Sequence, residues 1–145
     1  MVRAPSTADR STYDHWMNNR EFSVMATTHD IARSGEEHAV RFLQESGWQI
    51  LDRNFHYGRA GEIDIIAHDG EYTVFVEVKS RRSVRFGAPE CAVTPAKQRQ
   101  LLRIARGWMY VHGRGELLCR FDVIAVEFQN GTPHFHHIRN AFTAA

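Results

Sequence analysis

Asp64, Glu77 and Lys79 are residues of chemical use at a spacing that lets them share one surface. The stretch EYTVFVEVKSRRS, residues 71–83, has the apolar character of a strand until it reaches Glu77 and Lys79. Side chains alternate with period two along a strand, so Val74, Val76 and Val78 share one face and Phe75, Glu77 and Lys79 the other. A carboxylate and an ammonium beside an aromatic ring are normally excluded unless they are paired or functional. Asp64 and Glu77 can offer two carboxylate oxygens to one hard divalent cation, Mg²⁺ or Mn²⁺, with the Val78 carbonyl as a third protein ligand. Lys79 then stands one strand step from Glu77, where its ammonium can orient an attacking water or offset charge that builds on a phosphate.

These side chains need a scaffold. GEIDIIAHD and EYTVFVEVKS read as two strands joined by a tight turn at Asp69-Gly70-Glu71. With Gly70-Glu71 at the centre of a type II′ turn, residue 64 falls directly opposite residue 77. With Asp69-Gly70 there, it falls opposite residue 75. Both registers keep Asp64 on the face of Glu77 and Lys79, and only an odd-length turn would flip it away. Before these strands, THDIARSGEEHAVRFLQESGW has helical spacing, with Thr28 or Ser34 as N-cap and Gly47 at the stop. Glu36 lies in the first turns of this helix or just before them, from where it can reach the site as a further ligand. WQILDRNFHY reads as a strand between that helix and GEIDIIAHD. A second helix starts at Thr94-Pro95 and ends at Gly113 or Gly115. ELLCRFDVIAVEF is a further strand, Asn130-Gly131 a hairpin turn and PHFHHI a short edge strand. The expected fold is α/β, a mixed sheet flanked by helices in the order α-β-β-β-α-β-β.

A chain of 145 residues with 43% hydrophobic content supports one sizeable core rather than two. Residues 1–27 lack periodicity and are read as an N-terminal extension, 28–140 as the folded domain and 141–145 as a C-terminal tail. No apolar run is long enough to span a membrane and the N-terminus lacks a signal-peptide core, so the expected compartment is the cytoplasm. Cys91 and Cys119 are expected to be reduced thiols. The net charge is only +1, but its distribution is uneven. Lys79, Arg81, Arg82, Arg85, Lys97, Arg99, Arg103 and Arg106 face a single acid, Glu90, between residues 79 and 106, while an acidic cluster precedes them. That is the pattern of a polyanion-binding surface beside a cation site.

The string SGEEHAVRFL, GWQILDRNF, GEIDIIA, YTVFVEVKSRR, TPAKQRQL, RFDVIAVE closely resembles the YraN-like family of small bacterial proteins. That family is similar in turn to archaeal Holliday-junction resolvases and to the restriction-endonuclease-like nucleases of the PD-(D/E)xK type. The resemblance implies a restriction-endonuclease-like sheet and a metal-dependent endonuclease acting on structured or branched DNA. Glu36 matches the acidic residue of the first helix, Asp64 the acid of the second core strand, Glu77 and Lys79 the E-x-K pair, and Lys97 a polar residue that some members add. Residue 63 is Ile where the superfamily name calls for Pro, which is not a ligand. Arg81, Arg82 and Arg85 follow the active strand directly and, with Lys97, are the expected phosphate contacts. The alternative is a nucleic-acid-binding protein that keeps the fold without turnover. A domain of this size offers little surface for both arms of a duplex, so a homodimer with two sites is expected.

Other residues invite less. His134, His136 and His137 are read as a solvated edge strand, Arg120 and Asp122 as an ion pair, and Trp48 and Trp108 as core. Glu62 is read as a reserve ligand or an ion-pair partner of Arg59 or Arg81.

Overall fold

The first strand after the N-terminal helix opens an antiparallel meander, and the whole sheet grows outward from it in chain order. A computed structural model describes residues 28–81, 93–115 and 118–143. The elements are α1 (Thr28–Glu45), β1 (Gln49–His56), β2 (Glu62–His68), β3 (Thr73–Arg81), α2 (Pro95–Val111), β4 (Cys119–Gln129) and β5 (Thr132–Phe142). The order α-β-β-β-α-β-β is the expected one. The five strands lie in the spatial order β1-β2-β3-β4-β5. All neighbours are antiparallel except β3 and β4, which are parallel and joined by the crossover that contains α2. The extension 1–27 lies outside the described residues, as do Arg82, Arg85 and Cys91.

The alternation read from β3 sorts the core into two layers. Val74 and Val76 pack with Ile65, Ile124 and Val126 under Ala39 and Leu43 of α1. Phe75 packs with Ile66, Phe121 and Val123 under Leu101, Ile104 and Trp108 of α2. Trp108 meets Phe75 edge to face at 5.9 Å, and its indole N–H donates to Asp52 on β1.

Helix ends follow local chemistry. Thr94 caps α2 by accepting from the Lys97 N–H at 3.2 Å, with Pro95 in the first turn. Gly47 and Gly113 have left-handed φ of 87° and 62°. In each case the next residue donates back into the last turn, Trp48 to Leu43 at 3.0 Å and Arg114 to Met109 at 2.8 Å, so Gly113 rather than Gly115 ends α2. For α1 the earlier of the two starts forms. Ser34 and Gly35 are buried within the helix, so packing of its first turns on the sheet outweighs Ser34 as a local N-cap.

Two expectations about β5 need correction. The strand is eleven residues long rather than a short PHFHHI segment. It continues through Ala141 and Phe142, assigned above to the tail, because Phe142 is buried and stacks on Phe121 at 4.6 Å. His137 is also not solvated. Its Nε2 lies 2.7 Å from Asp122 Oδ2, with only 11% of its side chain exposed.

Asp122 is the centre of a closed polar network on the α1 face. It accepts from Arg120 Nε at 2.8 Å and from the Asn140 N–H at 2.9 Å, besides its contact with His137. Arg120 also donates to Asp69 Oδ2 at 2.7 Å, tying the β2–β3 turn to β4. The guanidinium lies over the rings of Trp48 and Tyr72, at 5.4 and 5.3 Å.

Candidate functional site

The β2–β3 turn decides whether the two strand carboxylates meet. His68 pairs with Thr73, Ala67 with Val74, Ile66 with Phe75 and Ile65 with Val76. Gly70 and Glu71 are therefore the central residues of the turn, closed by the Asp69 N–H to the Tyr72 carbonyl at 3.2 Å, with Gly70 at a φ of 110°. Of the two registers weighed above, this one puts Asp64 opposite Glu77 at the next step. The pairing stops just before that step. There Asp64 Oδ2 accepts from the Val78 N–H at 2.8 Å, so the side chain satisfies a donor of β3 that the backbone of β2 no longer reaches. It is the Val78 N–H, not its carbonyl, that has a defined contact with the acids.

Asp64 and Glu77 are the inner members of the site, the first 9% exposed and the second with 15% of its side chain exposed. Glu36 is brought to them by α1. That helix can seat this deeply because residue 35 has no side chain: a Cβ on Gly35 would collide with the Ser80 hydroxyl of β3. From the next position Glu36 shares a hydrogen bond with Asp64. The opposite layer supplies Lys97 from the capped first turn of α2, with Nζ 3.3 Å from Glu77 Oε1. Lys79 acts on Glu77 electrostatically from two residues along the same strand. Glu36, Asp64, Glu77, Lys79 and Lys97 are thus gathered at one end of the β2–β3 pair, between the two helix layers. Arg81 is the last residue of β3, while Arg82 and Arg85 fall outside the described residues.

The electrostatics are those of an overcrowded acid site. Burial pushes the Asp64 carboxyl up to about 8, Glu77, Glu36 and Glu62 add to the rise, and the Val78 N–H only partly opposes it. Glu77 is also raised, first by burial, with Lys97 and Lys79 pulling it back. Glu36 is raised by burial and by Glu62, against the pull of Arg53 and of the hydrogen bond with Asp64. These acids do not all ionise together at neutral pH without a further positive charge.

A divalent cation is one source of that charge. Among the described residues no three His, Cys, Asp or Glu side chains form a ready cluster of ligands. Magnesium does not require one, because it is commonly held by one or two carboxylates and completes its shell with water. Asp64 and Glu77, two hard oxygen donors short of compensation, fit that smaller demand.

Three contacts of residues around the site were missed in the sequence. Glu62 lies 2.9 Å from His56, its partner across β1 and β2, and the Arg81 side chain falls outside the described residues. Arg53 holds Glu37 at 2.7 Å and so anchors the helix turn that carries Glu36. Asp52 receives the indole N–H of Trp108 at 3.2 Å, which holds α2 against β1. The ion pairs join residues of different elements, and local pattern gives no signal for the Arg53 pair. The strand register would have suggested His56 for Glu62.

Residues 35–126 match the family model described as "Uncharacterised protein family UPF0102". A UPF0102 protein of Geobacter sulfurreducens is 46% identical over 112 residues, covering 77% of this chain and 87% of the relative. One of Bifidobacterium longum subsp. infantis is 47% identical over 112 residues, covering 74% of this chain and 89% of the relative. One of Rhodococcus jostii is 43% identical over 119 residues, covering 81% of this chain and all of the relative. The matched span includes Glu36, Asp64, Glu77, Lys79 and Lys97, and the chain belongs to the UPF0102 family, the YraN-like group.

Proposed function

We propose that the protein is a divalent-metal-dependent phosphodiesterase that hydrolyses nucleic acid, with structured or branched DNA as its substrate. The observation that carries this reading is the convergence of Glu36, Asp64 and Glu77 with Lys79 and Lys97 at one partly open end of the sheet. Asp64 and Glu77 would hold Mg²⁺ or Mn²⁺, aided by Glu36 and the Val78 carbonyl. The bound ion supplies electrophilic activation of the scissile phosphate. Asp64, pushed up to about 8 and hydrogen-bonded to Glu36, would give its proton to solvent on taking a cation. Lys79 orients the attacking water and offsets charge on the non-bridging oxygens as the P–O bond opposite the entering water breaks. Lys97 holds Glu77 in place from the other layer. Arg81, Arg82 and Arg85 carry the phosphate backbone past the site, and two copies of the chain act as a homodimer on the two arms of a substrate.

A second reading, a nucleic-acid-binding protein without turnover, draws on one observation: an oxygen of Glu77 is already engaged by Lys97. A labelled panel of single strand, duplex, flap, four-way junction and RNA, incubated with Mg²⁺ or Mn²⁺, separates the two. Wild type is expected to cleave a branched or flapped DNA, and Lys79→Ala to lose about 10²- to 10³-fold in rate with its fold intact. Equal cleavage by wild type and Lys79→Ala would sink the catalytic assignment. Binding without cleavage of any member would favour the second reading.

A further inference from the structure

Away from the carboxylates, α2 turns a second basic surface to solvent. Arg99, Arg103 and Arg106 are exposed on it. Their spacing of four and three residues sets them along one stripe, about 10 Å from first to last at a rise of 1.5 Å per residue. The helix has no acidic residue between Pro95 and Val111. With Tyr57, Leu102, Gly107 and Tyr110 the three arginines line an open cleft of about 600 Å³ whose walls hold no carboxylate.

The cleft is held in shape by its own contacts. Gly107 is buried under the Tyr57 ring, and a Cβ there would collide with that ring. The loop that carries Tyr57 is closed by the Tyr57 N–H to the Gly61 carbonyl at 3.2 Å and the Ala60 N–H to the Tyr57 carbonyl at 3.0 Å. Gln100 of α2 fastens the same loop by donating to the Ala60 carbonyl at 2.7 Å. Tyr110, on the next turn of the stripe, is 83% exposed. An aromatic ring left in water beside three guanidinium groups calls for a ligand with both negative charge and flat apolar faces.

We propose that this cleft binds an unpaired nucleic-acid strand, with phosphates on Arg99, Arg103 and Arg106 and a base stacked on Tyr110 or Tyr57. Three guanidinium groups along about 10 Å of helix suit the phosphate oxygens of a single strand. Stacking on aromatic rings is open only to bases that have left a duplex. An acidic protein would satisfy the arginines and leave the rings unused. The stripe also begins two residues beyond Lys97, the contact of Glu77, so it leads away from the carboxylate end along the same helix. The inference takes its substrate class from the hydrolase reading, but its test needs no cleavage.

The test is fluorescence anisotropy with the full chain in EDTA, using a labelled oligothymidylate and a blunt duplex over a range of salt. The triple variant Arg99→Gln, Arg103→Gln, Arg106→Gln is expected to bind the single strand more weakly. Its slope of log affinity against log salt should fall by about 2, at about 0.7 per phosphate contact. Tyr110→Ala is expected to weaken single-strand binding by about 5- to 100-fold and duplex binding little. Unchanged affinity and slope in the triple variant would overturn the proposal. So would displacement of the strand by polyglutamate as readily as by unlabelled oligonucleotide, which would assign the cleft to an acidic protein. The expected binding pattern in a protein that cleaves nothing upholds the cleft and rejects the hydrolase. Cleavage with binding unaltered in the triple variant does the reverse.

Discussion

Asp122 and Asp64 are carboxylates on the same sheet, 2% and 9% exposed, and burial pushes both toward the neutral form. Around Asp122 the push is outweighed by hydrogen bonds from His137, Arg120 and the Asn140 N–H, which hold it below the usual carboxylate range. Its neighbour Asp69 is likewise held down at about 2, against burial, by the Tyr72 and Glu71 N–H groups and by Arg120. Around Asp64, among the described residues, there is one backbone donor, and the charged groups that act on it most, Glu77, Glu36 and Glu62, are acids. Burial alone therefore does not mark a functional carboxylate. What separates the two regions is whether the fold supplies the complementary charge or leaves it to be brought in.

The two regions are expected to fail in opposite directions. Asp122→Ala leaves Arg120 and His137 buried without their shared acceptor and is expected to destabilise the protein by about 3–5 kcal/mol, read by urea denaturation. A loss under about 1 kcal/mol would show that the network is not a structural clamp. Asp64→Asn is expected to act the other way at pH 8.5, raising stability by on the order of a few kcal/mol while removing cleavage. The sign follows from the shift. Asp64 is protonated in both states below its ordinary value of 3.8 and keeps its proton up to about 8 only when folded. Stability from this group is full below about pH 4 and is lost as pH rises through 8. For Asp69 the stability is present above 3.8 and is lost as pH falls toward 2, and the lowered Asp122 contributes with the same sign. A stability profile that does not flatten on its alkaline side in Asp64→Asn would refute the crowding argument. The smallest effect expected is that of Mg²⁺ in hundredfold excess over its dissociation constant, about 2.7 kcal/mol at most by mass action. Thermal unfolding at pH 8 should show that stabilisation in wild type and not in Asp64→Asn.

The legible parts of the fold were those specified by local chemistry. The period-two run Val74 to Lys79, Thr94-Pro95, Gly47 and Asn130-Gly131 each fix a conformation within a few residues, and each is found where the sequence puts it. That Asp64 shares a face with Glu77 was legible because either two-residue turn keeps the parity of the register, while the choice between residues 77 and 75 was left to the structure. The place of Lys97 at the site entered through the family resemblance, while its contact with Glu77 was not foreseen, since nothing in the spacing says how deep α2 sits. Arg53 with Glu37, Asp52 with Trp108 and Tyr57 over Gly107 depend on docking distances between elements, which residue patterns do not encode. His137 was misread for a related reason: an edge strand is solvated only where no neighbour covers it, and α1 and Trp48 cover this one.

The parallel pairing of β3 with β4 also governs the order in which the molecule comes together. β1, β2 and β3 are joined by short turns, so their ladder forms through contacts close in the chain and closes little loop entropy. β4 can zip onto β3 only after the whole segment between Arg81 and Cys119 has been traversed, and α2 is delivered with it. The acids therefore gather early on the meander with α1, and Lys97 arrives with the slow, long-range step. A chain stalled before that step has assembled its carboxylates with Lys79 beside Glu77 but without Lys97, so the carboxylate end gains its second cation only with the parallel strand.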